Sequence, residues 1–339
     1  MQHLRPFVLE RPQSLSEATH LLASDPGARI LAGGTDLMPN LRRGIGLPTR
    51  LIDLGGVHDF STIDFGARDG EALSIGAGAT LTSLATHPKV MRDYPAIAQA
   101  AGSIAGPGHR NAATLGGNLC VDTRCVFYNQ GEWWRAANDH CLKLGGTVCH
   151  VAPQGHRCHA AFSGDLAPAL LALGAEVELA NDRGSRSIPL EDLYRDDGAE
   201  FLAIARDEIL VRAIVPVSSS TAQGCHSAYR KARARESTDF PLAGVACALT
   251  IDAGRIGQCR IAITGTNPRP FVLAGTDSLI NGPFEPGRIA EIGKLVGKLV
   301  QKQVAPMRTT VTPSHYRRLV AAVLAQRLLV ELAELAEAD

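Results

Sequence analysis

Apolar positions in the first half of the chain switch repeatedly between short continuous runs and helical spacing, the pattern of strands and helices in alternation. Ser14-Leu15-Ser16-Glu17 has capping-box spacing and predicts a short helix through Leu22 that stops before Asp25-Pro26-Gly27. Residues 29–32 predict a strand running directly into Gly33-Gly34-Thr35-Asp36, after which residues 37–41 resume a helical pattern. Residues 51–54 and 73–77 predict two more strands, with a helix from about Thr82.

Between Cys120 and Gly164 the periodicity fails, and Cys, His, Trp, Asn and Gly are interleaved. A loop of that length inside a folded domain needs a reason. Order returns at Asp165-Leu166-Ala167-Pro168, where the proline predicts a helix N-terminus, and residues 176–179 predict a strand. Residues 218–224, Ser-Ser-Ser-Thr-Ala-Gln-Gly, look like a linker. Beyond it, residues 242–251 and 260–264 are strand-like, and residues 289–301 and 315–334 are helical.

Composition adds bounds to this pattern. At 339 residues and 45% hydrophobic, the chain can form two or three cores. Lys plus Arg equals Asp plus Glu at 34 each, so no net field attracts nucleic acid or an anionic membrane. Residues 1–10 carry no apolar signal core, and the longest apolar stretch, residues 166–175, is about half a membrane span. A cytoplasmic protein without a nucleic-acid or membrane partner is expected. Its eight cysteines are then thiols or metal ligands rather than disulfides.

Two glycine pairs carry candidate chemistry. Gly33-Gly34 lies beside Ala32, Thr35 and Asp36, and Gly116-Gly117 lies between Thr114 and Asn118. A diphosphate needs several backbone N–H donors at close range, and glycine lets the chain come close with positive φ. Neither loop matches a Rossmann or Walker motif, and each alone also reads as a tight turn.

Leu31-Ala32-Gly33-Gly34-Thr35-Asp36-Leu37-Met38-Pro39 and Arg110-Asn111-Ala112-Ala113-Thr114-Leu115-Gly116-Gly117-Asn118 resemble the two FAD-binding motifs of the molybdenum hydroxylase flavoprotein subunits, a family that includes carbon monoxide and xanthine dehydrogenases. The resemblance continues at residues 165–175, at Asn267-Pro268-Arg269-Pro270 and at Tyr316-Arg317-Arg318. It implies an α+β fold with a two-subdomain PCMH-type FAD-binding domain and a smaller α+β C-terminal domain of the CO dehydrogenase flavoprotein type. On this sequence the parts fall at 1–56, at 57–216 with an insertion at about 120–162, and at 224–339. The resemblance also implies that Ala32, Gly33, Gly34, Thr35, Asp36, Thr114, Gly116, Gly117, Asn118 and Asp165 hold FAD. Many members place an aromatic over the flavin after a Pro-Leu-x-x-Phe-Phe-type stretch, where this chain has Leu190-Glu191-Asp192-Leu193-Tyr194-Arg195.

Inside the irregular segment, Cys125, Cys141, Cys149 and Cys158 are separated by fifteen, seven and eight residues. Four thiolates suit tetrahedral zinc or an iron–sulfur cluster, the absence of Cys-x-x-Cys argues against a zinc ribbon, and free thiols are the alternative. Cys120, Cys225, Cys247 and Cys259 read as packed thiols. Asn118-Leu119-Cys120-Val121-Asp122-Thr123-Arg124-Cys125 with Tyr128-Asn129-Gln130, Trp133-Trp134-Arg135 and Cys141-Leu142-Lys143 resembles the β subunits of 4-hydroxybenzoyl-CoA reductases. That resemblance implies a 4Fe-4S cluster on the four cysteines.

No nucleophile stands with a base in any motif, so no catalytic residue is assigned and substrate conversion is expected on a partner. The resemblance implies a molybdopterin-binding large subunit, a small subunit with two 2Fe-2S clusters, a dimer of three-subunit units, and reduced ferredoxin as donor. Electrons would pass by 4Fe-4S and FAD toward the molybdenum site for reductive dehydroxylation to benzoyl-CoA. Two alternatives stand beside it: the FAD subunit of an oxidising aldehyde, purine or N-heterocycle hydroxylase, and a zinc-binding structural or assembly protein. Lys231, Arg233 and Arg235 near Tyr229 could neutralise a cofactor phosphate but read more readily as a solvated face, and Asp196-Asp197 reads as a turn.

Overall fold

The computed structural model describes residues 4–252, 255–280, 286–308 and 312–338, so the first three residues of the charged N-terminal stretch lie outside the described residues. Three sheets follow one another along the chain. β1 (Val8–Glu10), β2 (Ala28–Leu31) and β3 (Arg50–Asp53) pair in parallel in the order β1-β3-β2. The helices Leu15–Ser24 and Leu37–Arg42 supply the crossovers that parallel neighbours require. The capping box is realised in shifted form. Ser14 Oγ accepts from the Glu17 N–H at 3.1 Å, while the Glu17 carboxylate accepts from the N–H of Gln13, one residue before the cap.

β4 (Ile63–Ala67), β5 (Ala72–Gly76), β6 (Glu176–Asn181), β7 (Gly184–Pro189) and β8 (Ile209–Pro216) form an antiparallel sheet in the order β4-β5-β8-β6-β7. Five helical segments between Leu81 and Leu119 and the buried helix Leu166–Ala172 close one core with the first two sheets. The segment expected to be irregular contains the helix Glu132–Ala136, a 3₁₀ turn at Leu142–Leu144, and an Arg124–Ala161 bridge that closes its base.

The third sheet, order β12-β11-β10-β9, is an antiparallel meander of β9 (Cys225–Ala232), β10 (Ala243–Asp252), β11 (Arg255–Thr264) and β12 (Phe271–Val272). Alternation decides its two faces. Val245, Cys247 and Leu249 face a core covered by the helices Pro286–Gln303 and Ser314–Ala338. Ala246 and Ala248 face the core of the first two sheets, where their small side chains admit the helix Leu166–Ala172. Burial on both faces explains why residues 242–251 read as a nearly continuous apolar run. The stretch read as a linker is fixed to the body: it makes two short 3₁₀ turns, and Ser219 Oγ donates to the Leu173 carbonyl at 2.8 Å. Among the described residues, no helix is long and apolar enough to cross a membrane.

Candidate flavin and cysteine sites

The two glycine loops, 83 residues apart in sequence, meet. A Cβ on Gly33 would collide with the Ala112 carbonyl, and one on Gly116 would stand 2.8 Å from the Ala77 Cβ, so both positions require glycine for close backbone approach. Gly34 takes φ +68°, which turns the chain out of β2. The N–H groups of Gly33, Gly34, Thr35 and Asp36 donate to no group among the described residues. Four free amides beside a second backbone loop fit the diphosphate of FAD, whose oxygens accept only.

The second loop is held more firmly. Thr114 Oγ1 accepts from the Gly117 N–H at 3.1 Å and caps the helix Leu115–Leu119. Asn118 Oδ1 accepts from the Leu166 N–H at 2.9 Å, which joins this helix to the one that follows Asp165. Asp165 itself points away, into the third sheet. Tyr229 donates its hydroxyl to Oδ1 at 2.5 Å and Lys231 Nζ lies 3.2 Å from Oδ2. Burial pushes the Asp165 carboxyl up, while Lys231 and the Tyr229 hydroxyl oppose the rise. Lys231 is thus no solvated residue, since its side chain is 3% exposed. Arg233 donates to the Ser103 carbonyl at 3.1 Å. Tyr194, in the stretch compared above with the Pro-Leu-x-x-Phe-Phe pattern, donates to the Leu119 carbonyl and packs edge-on against Phe162 at 5.0 Å.

The cysteine segment brings its four thiols into one neighbourhood. Burial pushes the Cys125 thiol up, the nearby Cys141 and Cys149 add to the rise, and the N–H groups of Phe127 and Tyr128 oppose it. Cys158 is pushed up to about 12, chiefly by burial, with Cys149 and Cys125 as neighbours and the Ala160 N–H and Lys143 opposing. Cys125 and Cys141 also pack with Ile45, Tyr128 and Leu144 in a small core of their own. Sulfurs that accept from backbone N–H groups, as Cys125 does from Phe127 and Tyr128 and Cys158 from Ala160, suit thiolate ligands of an iron–sulfur cluster. Among the described residues, no three His, Cys, Asp or Glu side chains are gathered closely enough for a single metal ion. Cys225, Cys247 and Cys259 are buried thiols, as expected.

Sequence reading missed the polar connection between the two sites. The Asp36 carboxylate in the first glycine loop accepts from the Asp122 N–H at 3.3 Å and pairs with Arg124. Asp122 in turn accepts from the Tyr128 hydroxyl at 2.6 Å and from Lys143 Nζ at 2.5 Å. These contacts join residues whose separation in sequence gives no local signal.

Two glycine loops on a parallel sheet and a five-stranded sheet, backed by a helix-covered meander, define a two-module flavin-binding protein. Residues 5–218 match the model of the FAD binding domain in molybdopterin dehydrogenase, and residues 227–332 match that of the CO dehydrogenase flavoprotein C-terminal domain. The chain therefore belongs to the FAD-binding medium subunits of the xanthine dehydrogenase and CO dehydrogenase family of molybdenum hydroxylases. It is 32% identical over 287 residues, 82% of its length and 87% of the relative's, to the FAD-binding subunit of an Escherichia coli (strain K12) aldehyde oxidoreductase. It is 26% identical to the nicotine 6-hydroxylase medium subunit of Paenarthrobacter nicotinovorans, over 94% of this chain and 95% of that one. The fold matches that of reconstituted CO dehydrogenase from Oligotropha carboxidovorans with a TM-score of 0.77 at 25% identity, covering 99% of this chain and 100% of that one.

Proposed function

We propose that this chain is the FAD-carrying electron-transfer subunit of an oxidising molybdenum hydroxylase whose partner acts on an aldehyde, and that its four-cysteine segment holds a 4Fe-4S cluster. The meeting of two glycine loops around four unpaired amides carries the flavin assignment. The likeness to the aldehyde oxidoreductase subunit supports the substrate class, which a molybdopterin-binding large subunit would convert, with a small subunit carrying two 2Fe-2S clusters between them. Bound FAD accepts two electrons and releases them singly, and a four-thiolate cluster exchanges one at a time. This chain's own residues bind and orient. Gly33 to Asp36 present amides, the Thr114-capped helix, its own N–H groups bonded within the fold, backs them, Asp36 ties the first loop to the cysteine segment, and Cys125, Cys141, Cys149 and Cys158 stand in one largely buried segment.

The same cysteine segment favours a second reading, the subunit of a ferredoxin-linked 4-hydroxybenzoyl-CoA reductase, in which electrons run inward. The two separate in one experiment. The anaerobically purified complex is given either an aromatic aldehyde with a dye acceptor, or 4-hydroxybenzoyl-CoA with a low-potential donor. Brisk aldehyde oxidation without formation of benzoyl-CoA is expected, and the opposite pattern would install the reductase.

A further inference from the structure

Arg135 is the largest fully buried side chain among the described residues, 2% exposed, on a five-residue helix inside the cysteine segment. Its guanidinium reaches out of that segment. One Nη donates to the carbonyls of Arg43 at 2.8 Å and Gly44 at 3.3 Å and also meets Glu132, while the other donates to the Gln130 carbonyl. Arg43 and Gly44 end the helix that begins directly after the first glycine loop. Helix-end carbonyls lack partners within the helix and carry partial negative charge, so a buried planar cation suits them. Next to them, Ile45 packs against Cys141 and Tyr128. At the opposite end of the same helix, Asp36 accepts from the Asp122 N–H. The helix Leu37–Arg42 is therefore gripped at both ends by the segment that carries the four cysteines.

We propose that Arg135 is a positioning residue for the flavin cradle: through it the cysteine segment fixes the helix Leu37–Arg42, and with it Gly33 to Asp36, in the geometry that binds the FAD diphosphate. Occupancy of the four cysteines and affinity for FAD are then linked, a step that rests on the cluster reading above. A segment ordered by its cluster holds the cradle; a segment without it lets the cradle loosen. Linkage of this kind commonly amounts to about 5- to 150-fold in affinity.

The test uses the purified complex, stripped of flavin and titrated with FAD by flavin fluorescence, with iron measured on each sample. Cys141→Ser and Arg135→Met are each expected to weaken FAD about tenfold, and Arg135→Met is expected to keep its iron. Because both act through one helix, the double variant should bind FAD about as Cys141→Ser alone does. A purely structural arginine would instead give a double loss equal to the product of the single losses, and that result, or wild-type affinity in Arg135→Met, would overturn the proposal. If Arg135→Met does not fold, Arg135→Lys decides, with an intermediate loss expected and wild-type affinity overturning it. Iron no higher in the wild type than in Cys141→Ser would overturn the cluster reading and the linkage with it, while the Arg135→Met comparison still decides the positioning role.

Discussion

A methyl group at Gly33 has no space, because its Cβ would meet the Ala112 carbonyl of the other loop. Gly33→Ala is expected to force the two loops apart and abolish stoichiometric FAD in the purified protein, read from the flavin absorbance; retention of full flavin would contradict the cradle as described. At Asp165 the expected effect is on stability. Asp165→Asn leaves Lys231 buried without its counter-charge and should cost about 3–5 kcal/mol in urea denaturation, whereas Tyr229→Phe should cost only about 1–2. The glycines were legible because the resemblance fell on them directly. Lys231 was not, since Tyr229 and Lys231 stand two apart on one strand and share a face, while their partner Asp165 lies 64 and 66 residues away.

At the scale of elements, the strands buried on one or two faces were the readable ones. Residues 242–251 and 73–77 announced β10 and β5 to within a residue. β7, whose residues are nearly all exposed, carries no hydrophobic pattern and escaped notice. The cysteine segment reads as irregular for a related reason: its order comes from side chains such as Arg135 and Arg124 that bond to other elements, not from periodicity. β9 makes a pH prediction. Burial pushes the Cys225 thiol, at its first residue, from an ordinary 9.0 up to about 11, with the Leu249 N–H opposing and Cys259 adding. A raised folded-state value means that the neutral thiol's contribution is fully present below pH 9 and is lost as pH rises through about 11. The difference in denaturation midpoint between wild type and Cys225→Ala should accordingly shrink over that window, and a difference that stays constant would show the thiol to be unperturbed.

For the whole molecule, the α+β architecture followed from the alternation of periods and from the two glycine motifs, while the mutual packing of its parts did not, because β10 serves two cores at once. Balanced charge, 34 basic against 34 acidic residues, leaves recognition of partners to local surfaces rather than to a long-range field. We propose that one chain carries both a flavin and a cluster. The most direct test is to purify the chain with its partners without oxygen and to measure flavin, iron and acid-labile sulfide. Wild type is compared with Cys141→Ser at saturating FAD, and both are examined by EPR after dithionite reduction. The variant is expected to lose four irons and four sulfides together with one reduced-cluster signal while the flavin remains, a stoichiometry set by the 4Fe-4S composition of the proposed cluster. Iron, sulfide and EPR spectra identical in the two proteins would contradict the proposal.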